Sequence, residues 1–184
     1  MKHIPSLLLP ILYTNVNYTL HYSKEHIYPK SYLTGLPKAK CDFHNIYFCS
    51  YDLNNIRSNY AFTDELDNTF VKVTDECYVS RSKKLFYPRP IDRGVIARSI
   101  LYMRDRYKIK DECRCKGDDG CGTGFMNSPK DIKMLIRWNR EYSPSQEEFI
   151  RHDTIAKKQG VRNKFLLCRV AKDTLTFLDF CKFL

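Results

Sequence analysis

A mixed α+β fold is what this sequence predicts, and three observations carry the prediction. The 184 residues are 43% hydrophobic and 14% aromatic, enough apolar material for one compact domain over 1–184. Short alternating stretches in the first half have the pattern of strands, and the second half holds apolar residues every three or four positions, the pattern of helices. No internal repeat, low-complexity tract or Gly/Ser linker interrupts the chain.

Taken in order, NVNYTLHY (15–22) alternates and is expected to form a strand that ends near KEHIYPK (24–30). Neighbouring side chains on a continuing strand face opposite ways, so a turn beginning at Glu25 and stiffened by Pro29 is expected, letting Glu25 and His26 converge. After a turn at Gly35-Leu36-Pro37, residues 38–62 mix short apolar runs with Asn and Asp, a strand or helix start followed by irregular chain. TFVKVTDECYVS (69–80) has strand composition, and KKLFYPRP (83–90) is extended by its prolines.

The clearest helix is RGVIARSILYMRDRY (93–107), where Ile96, Ile100, Met103 and Tyr107 form one stripe. Its arginines 93, 98, 104 and 106 are expected on the opposite side. ECRCKGDDGCGTG (112–124) is an acidic, glycine-rich loop, and DIKMLIRWNREY (131–142) is a shorter amphipathic helix. Ser143-Pro144-Ser145-Gln146 is expected to be a capping box with proline at the first helical position, opening a helix that ends before Gly160. The tail from Phe165 is apolar enough to pack on the core.

The net charge of +10 is uneven: residues 81–110 hold ten basic residues against two acidic, while 41–80 carry −5. A concentrated basic segment suits a polyanion, with nucleic acid first, because clustered Lys and Arg release counterions from phosphates. No apolar run of spanning length and no basic-apolar amphipathic segment supports a membrane partner, and no protein partner can be inferred. MKHIPSLLLPIL has the basic head and apolar stretch of a secretory leader, but YTNVNYTLHY lacks a small-x-small cleavage site. An uncleaved N-terminus and an intracellular compartment are therefore expected. The eight cysteines lack paired CxxC spacing; Cys113, Cys115 and Cys121 are three soft ligands without a local fourth, which favours a loop with a disulfide or free thiols over zinc.

Hydrolysing a phosphodiester needs a base for water, a hard cation to neutralise charge and basic groups to hold the backbone. Histidine, with its reference pKa of about 6.5, suits the first task. Carboxylate and amide oxygens suit Mg2+. Glu25, His26 and Asn45 supply these types, although Asn also commonly forms turns and His44 has a hydrogen-bonded structural reading.

Five segments in order then carry a resemblance: EHIYPKS (25–31), DFHNI (42–46), NNIRSNYAF (54–62), RGVIARSILYM (93–103) and WNREYSPSQEEFIRHDTIAKKQGVRNKF (138–165). Together they resemble the signature of the endonuclease I family, secreted or periplasmic nonspecific nucleases of the His-Me finger (ββα-metal) class. The resemblance implies a finger over about residues 18–60 within a helix-rich single domain. It implies His26 as general base, Glu25 and Asn45 as ligands of Mg2+ or another divalent cation such as Mn2+ or Ca2+, and DNA, with RNA as a further substrate, cut with little sequence preference to leave 5′-phosphates. The family arginine that stabilises the phosphate lies in a longer loop than this chain has between Pro29 and Asp42, so Arg57, Lys38 or Lys40 would replace it. Lys30, Lys38, Lys40, Arg93 and Arg98 are candidate nucleic-acid contacts, the two arginines having an equal reading as partners of carboxylates or carbonyls. Val95, His152, Val161 and Lys164 depart from the family pattern and bear on packing. A noncatalytic nucleic-acid-packaging protein on the same fold, and a nuclease selective for RNA or branched structures, are the alternatives.

Overall fold

The structure, a computed structural model, describes residues 11–13, 21–109 and 125–167. Strand β1 (Ile11–Leu12) pairs in parallel with β3 (Ile46–Ser50), which pairs antiparallel with β2 (Tyr22–His26), giving the order β1-β3-β2. Helix α2 (Tyr51–Arg57) follows β3 directly, so β2, β3 and α2 form a strand–strand–helix finger. The fold is α+β, as expected. Most of the predicted strand at 15–22 lies outside the described residues, as do the cysteine-rich loop and the tail beyond Leu167.

Between β2 and β3 the chain forms a 3-10 turn at Lys30–Leu33, the short helix α1 (Pro37–Lys40) and a second 3-10 turn at Phe43–Asn45. A second sheet has the order β4-β7-β6-β5, built from β4 (Ala61–Phe62), β5 (Val71–Lys72), β6 (Tyr78–Ser80) and β7 (Leu85–Tyr87). Two segments predicted as strand and extended chain thus become a hairpin and its neighbour.

Helix α3 (Pro90–Tyr107) runs through the core, against the finger and against α4 (Pro129–Glu141). The expectation that it presents its arginines to solvent holds for Arg106 and is corrected for the other three: Arg93, Arg98 and Arg104 are buried. Arg98 is held by Glu148 of α5 (Gln146–Gln159), Nε to Oε1 at 2.7 Å and Nη2 to Oε2 at 2.6 Å, and it also donates to the Tyr142 carbonyl at 2.8 Å. A bidentate carboxylate compensates much of the cost of burying a guanidinium. This crossing requires glycine at 94, where an added Cβ would stand 2.5 Å from the Tyr142 carbonyl oxygen and 2.8 Å from Arg98 Nη2.

The start of α5 also differs. Ser145, not Ser143, is its N-cap, its side chain accepting from the Glu148 backbone N–H, and Pro144 precedes the cap. A capping box does occur one helix earlier, where Ser128 and Asp131 satisfy each other's backbone N–H at the start of α4. Gly160 ends α5 at φ 72°, the left-handed cap geometry that glycine adopts without strain. The short helix α6 (Lys164–Leu167) then packs on α3.

Candidate active site

The site lies where β2 ends. The strand continues through Glu25 and His26 and does not turn at Glu25, so their side chains leave opposite faces, correcting the expected convergence. Glu25 faces the core. Its Oε1 receives the Tyr13 hydroxyl at 3.1 Å and the Arg57 guanidinium at 3.1 Å. Burial pushes the Glu25 carboxyl up, against the opposing pull of Arg57 and the Tyr13 hydrogen bond.

Arg57, on the last turn of α2, is 1% exposed and donates to the carbonyls of His26 at 3.2 Å and Ile27 at 2.5 Å. Its guanidinium lies over the Phe62 ring, 4.6 Å from the centroid. Arg57 therefore braces the strand end, its two Nη atoms held by Glu25 and by the carbonyls of His26, Ile27 and Ser58, and at 1% exposure it is not on the surface where the expected phosphate contact would be made. Ser58, which follows it, sits at φ 52°, a strained conformation for a non-glycine residue.

His26 is half-buried on the other face. Its Nε2 lies 3.0 Å from the Lys40 carbonyl, so in the neutral ring Nε2 carries the proton and Nδ1 the lone pair. Burial, aided by the nearby Lys30 and Arg57 charges, lowers the His26 pKa, while the carbonyls of Lys40 and Lys24 resist that shift. The ring is thus held neutral near pH 7 and oriented by the α1 backbone.

Asn45 corrects another expectation. It is fully buried, its Oδ1 accepts from the Tyr28 N–H at 2.7 Å and its Nδ2 donates to the Tyr28 carbonyl at 2.9 Å. An amide used at both ends to lock the chain after β2 is a brace and not a free ligand. Sequence reasoning missed Asn54, one helical turn before Arg57 and on the same face of α2. Its Nδ2 donates to Ser23 Oγ at 2.7 Å and the Lys24 carbonyl at 3.3 Å, and its amide oxygen is in neither bond. The three-residue spacing to Arg57 within NNIRSN was the signal that could have found it.

The Glu25 carboxylate and the Asn54 amide oxygen are hard donors on facing elements, and they fit the chemistry Mg2+ takes. A carboxylate whose charged form is disfavoured by burial is one that an added cation would stabilise. Among the described residues no group of three or more His, Cys, Asp or Glu gathers to hold a metal ion, and a cation at Glu25 would share the carboxylate with Arg57.

The loop behind the site is rigidly tied. Asp42 caps its own turn by accepting from the His44 N–H at 2.9 Å and receives the hydroxyls of Tyr102 at 2.8 Å and Tyr107 at 2.7 Å. Arg151 of α5 donates to the carbonyls of Phe43 and Ile46 and to the Tyr47 hydroxyl. His44 donates Nε2–H to the Val161 carbonyl at 3.0 Å, and burial lowers its pKa to about 4, consistent with a structural role.

Lys30 and Lys38 are exposed and Lys40 is half-exposed, all on the loop that carries the His26 brace. Arg98 and Arg93 are not at this surface; Arg93 packs over the rings of Tyr87 at 4.7 Å and Trp138 at 5.4 Å. Arg89 is likewise buried, in an ion pair with Asp92 at 2.8 Å. A groove between β4 and α4 is lined by charges that pair with each other, Lys130 with Glu65 and Arg137 with Asp64.

A model of the Endonuclease I family matches residues 13–167. The chain is 26% identical over 138 residues to "Endonuclease-1" of Buchnera aphidicola subsp. Baizongia pistaciae (strain Bp), covering 74% of this chain and 50% of that protein. It is 26% identical over 132 residues to the "Periplasmic deoxyribonuclease" of Aeromonas hydrophila, covering 70% and 48%. An "Extracellular deoxyribonuclease" of the same organism is 27% identical over 128 residues, covering 68% and 48%. The chain therefore spans about half the length of the curated relatives it matches. The names of two of these relatives overturn the expected intracellular compartment and point to a secreted one. That expectation rested on a missing cleavage motif, a weaker signal than relatives that work outside the cytoplasm. With 13–167 matched and the strand–strand–helix finger in place, the chain belongs to the endonuclease I family.

Proposed function

We propose that this chain is an endonuclease that hydrolyses phosphodiester bonds of DNA, and of RNA as a further substrate, with little sequence preference. The observation that carries the reading is His26: half-exposed at the end of β2, held neutral by burial, and oriented by the Lys40 carbonyl. The deoxyribonuclease names of the relatives support DNA as the substrate.

In this mechanism Nδ1 of His26 takes a proton from water as it attacks phosphorus, the bond to the 3′ oxygen breaks, that oxygen takes a proton from solvent to become a hydroxyl, and a 5′-phosphate is left. Lys30, Lys38 and Lys40 hold the phosphate backbone without reading bases. Arg57 and Asn45 keep the strand end rigid, so the imidazole is positioned before substrate arrives. Glu25 and Asn54 would hold a divalent cation, Mg2+ or another such as Mn2+ or Ca2+. When bound it would supply positive charge at the end of β2, the strand end that carries His26. A noncatalytic packaging protein would have no use for a neutral, oriented imidazole.

The test is incubation with supercoiled plasmid and with RNA, with and without Mg2+, beside His26→Ala. Wild type is expected to nick plasmid only with the cation, and His26→Ala to lose about 10²–10⁴-fold in rate. Intact plasmid after wild-type treatment with Mg2+ overturns the nuclease reading; unimpaired cutting by His26→Ala overturns the base assignment alone.

A further inference from the structure

The face of the β2–β3 ribbon that carries His26 holds a second feature. Alternation along β2 puts Tyr22, Lys24 and His26 on one side, opposite Ser50, Phe48 and Ile46 of β3. The other side, with Tyr47 and Cys49, belongs to the hydrophobic core, whereas Ile46 and Phe48 are only half-buried. Tyr22 is 43% exposed and its ring lies 6.3 Å from that of Phe48, tilted by 54°. Tyr51, 54% exposed, follows Ser50, the cross-strand partner of Tyr22, and its N–H bonds the His21 carbonyl at 2.9 Å. Lys24 is exposed between the aromatic pair and the imidazole.

We propose that Tyr22, seated against Phe48, is a stacking platform for an unpaired base, which makes single-stranded nucleic acid a preferred substrate class at the His26 site. The inference rests on the nuclease reading above. Four residue steps of strand carry the chain about 13 Å from Tyr22 to His26, so the stacked base belongs to a nucleotide other than the one being cut. Lys24 then lies under the phosphate between them. A phenol ring buried on one flank and open on the other presents its π-face to any base, which gives affinity without sequence preference. A paired base is stacked inside the duplex and cannot reach it, whereas the lysines around His26 serve both forms alike.

Fluorescence anisotropy in EDTA, where no cutting occurs, tests this with a labelled oligothymidylate and a labelled hairpin duplex of equal charge. Tyr22→Ala is expected to weaken oligothymidylate binding about 5- to 100-fold and to leave hairpin binding within about twofold. Tyr22→Phe and Tyr22→Trp are expected to bind the single strand like wild type, since the ring does the work. Equal loss on both probes, no loss on either, or a Tyr22→Phe variant as weak as Tyr22→Ala overturns the platform. If wild type cuts plasmid while Tyr22→Ala binds the single strand unimpaired, only the platform falls. If wild type neither binds the probes nor cuts plasmid, the nuclease reading falls with it.

Discussion

The core face and the open face of the β2–β3 ribbon share a backbone but differ in what their side chains do. On the core face Glu25 is 1% exposed and tied to Tyr13 and Arg57. On the open face Lys24 is exposed, His26 half-exposed and Tyr22 touches a single half-buried ring among the described residues. Successive residues of one strand therefore differ in kind, one face tied into the fold and the other left open, where the proposed substrate would lie. Side-chain alternation is what permits this separation within five residues.

The comparison breaks most easily at Arg57. Removing one partner of a buried ion pair leaves the other charge stranded, so Arg57→Ala is expected to lose about 3–5 kcal/mol in urea denaturation. Arg98→Ala should lose a similar amount, because Glu148 is left without its bidentate partner. Lys24→Ala, on the open face, should stay within about 0.5 kcal/mol of wild type. If Arg57→Ala is as stable as Lys24→Ala, the core face is not the structural one.

A pH titration of stability sharpens the same contrast. His44 is buried neutral with its pKa lowered from 6.5 to about 4, so in that window the unfolded chain binds the proton and the folded chain does not. Stability is therefore complete above about pH 6.5 and falls as pH drops towards 4, by up to about 3 kcal/mol. Urea midpoints across that range check it, and His44→Gln should flatten the slope.

The smallest effect belongs to the loop. Lys38→Ala should leave stability unchanged but lower the slope of log affinity for DNA against log salt by about 1, the loss of one phosphate contact. Arg98→Ala should leave that slope intact, and a change there would return Arg98 to the nucleic-acid surface.

The helices were the legible part of the fold. The spacing of Ile96, Ile100 and Met103 located α3, and Gly160 marked the end of α5. The environment of the arginines was not legible. A guanidinium contributes the same polar residue to a pattern whether it meets water or, as at Arg98, a carboxylate fifty positions away. The cap of α5 was misplaced by two residues because Ser143 and Ser145 flank the same proline, and only the Glu148 N–H decides between them. At the site, the residue types and order located the corner, with His26 on its rim. The Asn45 assignment failed because an amide's role depends on which backbone groups arrive beside it, here both those of Tyr28.

Gly94 carries a consequence for how the family can vary. Space for the Arg98 guanidinium and the Tyr142 carbonyl exists only because position 94 has no side chain. A larger residue at 94 would have to displace the Tyr142 backbone as well as the Arg98 guanidinium, so loss of the arginine alone would not make room for it. Helix α3 is thus pinned at this crossing by the backbone of the chain after α4, which no exchange of side chains at 98 or 148 can move aside.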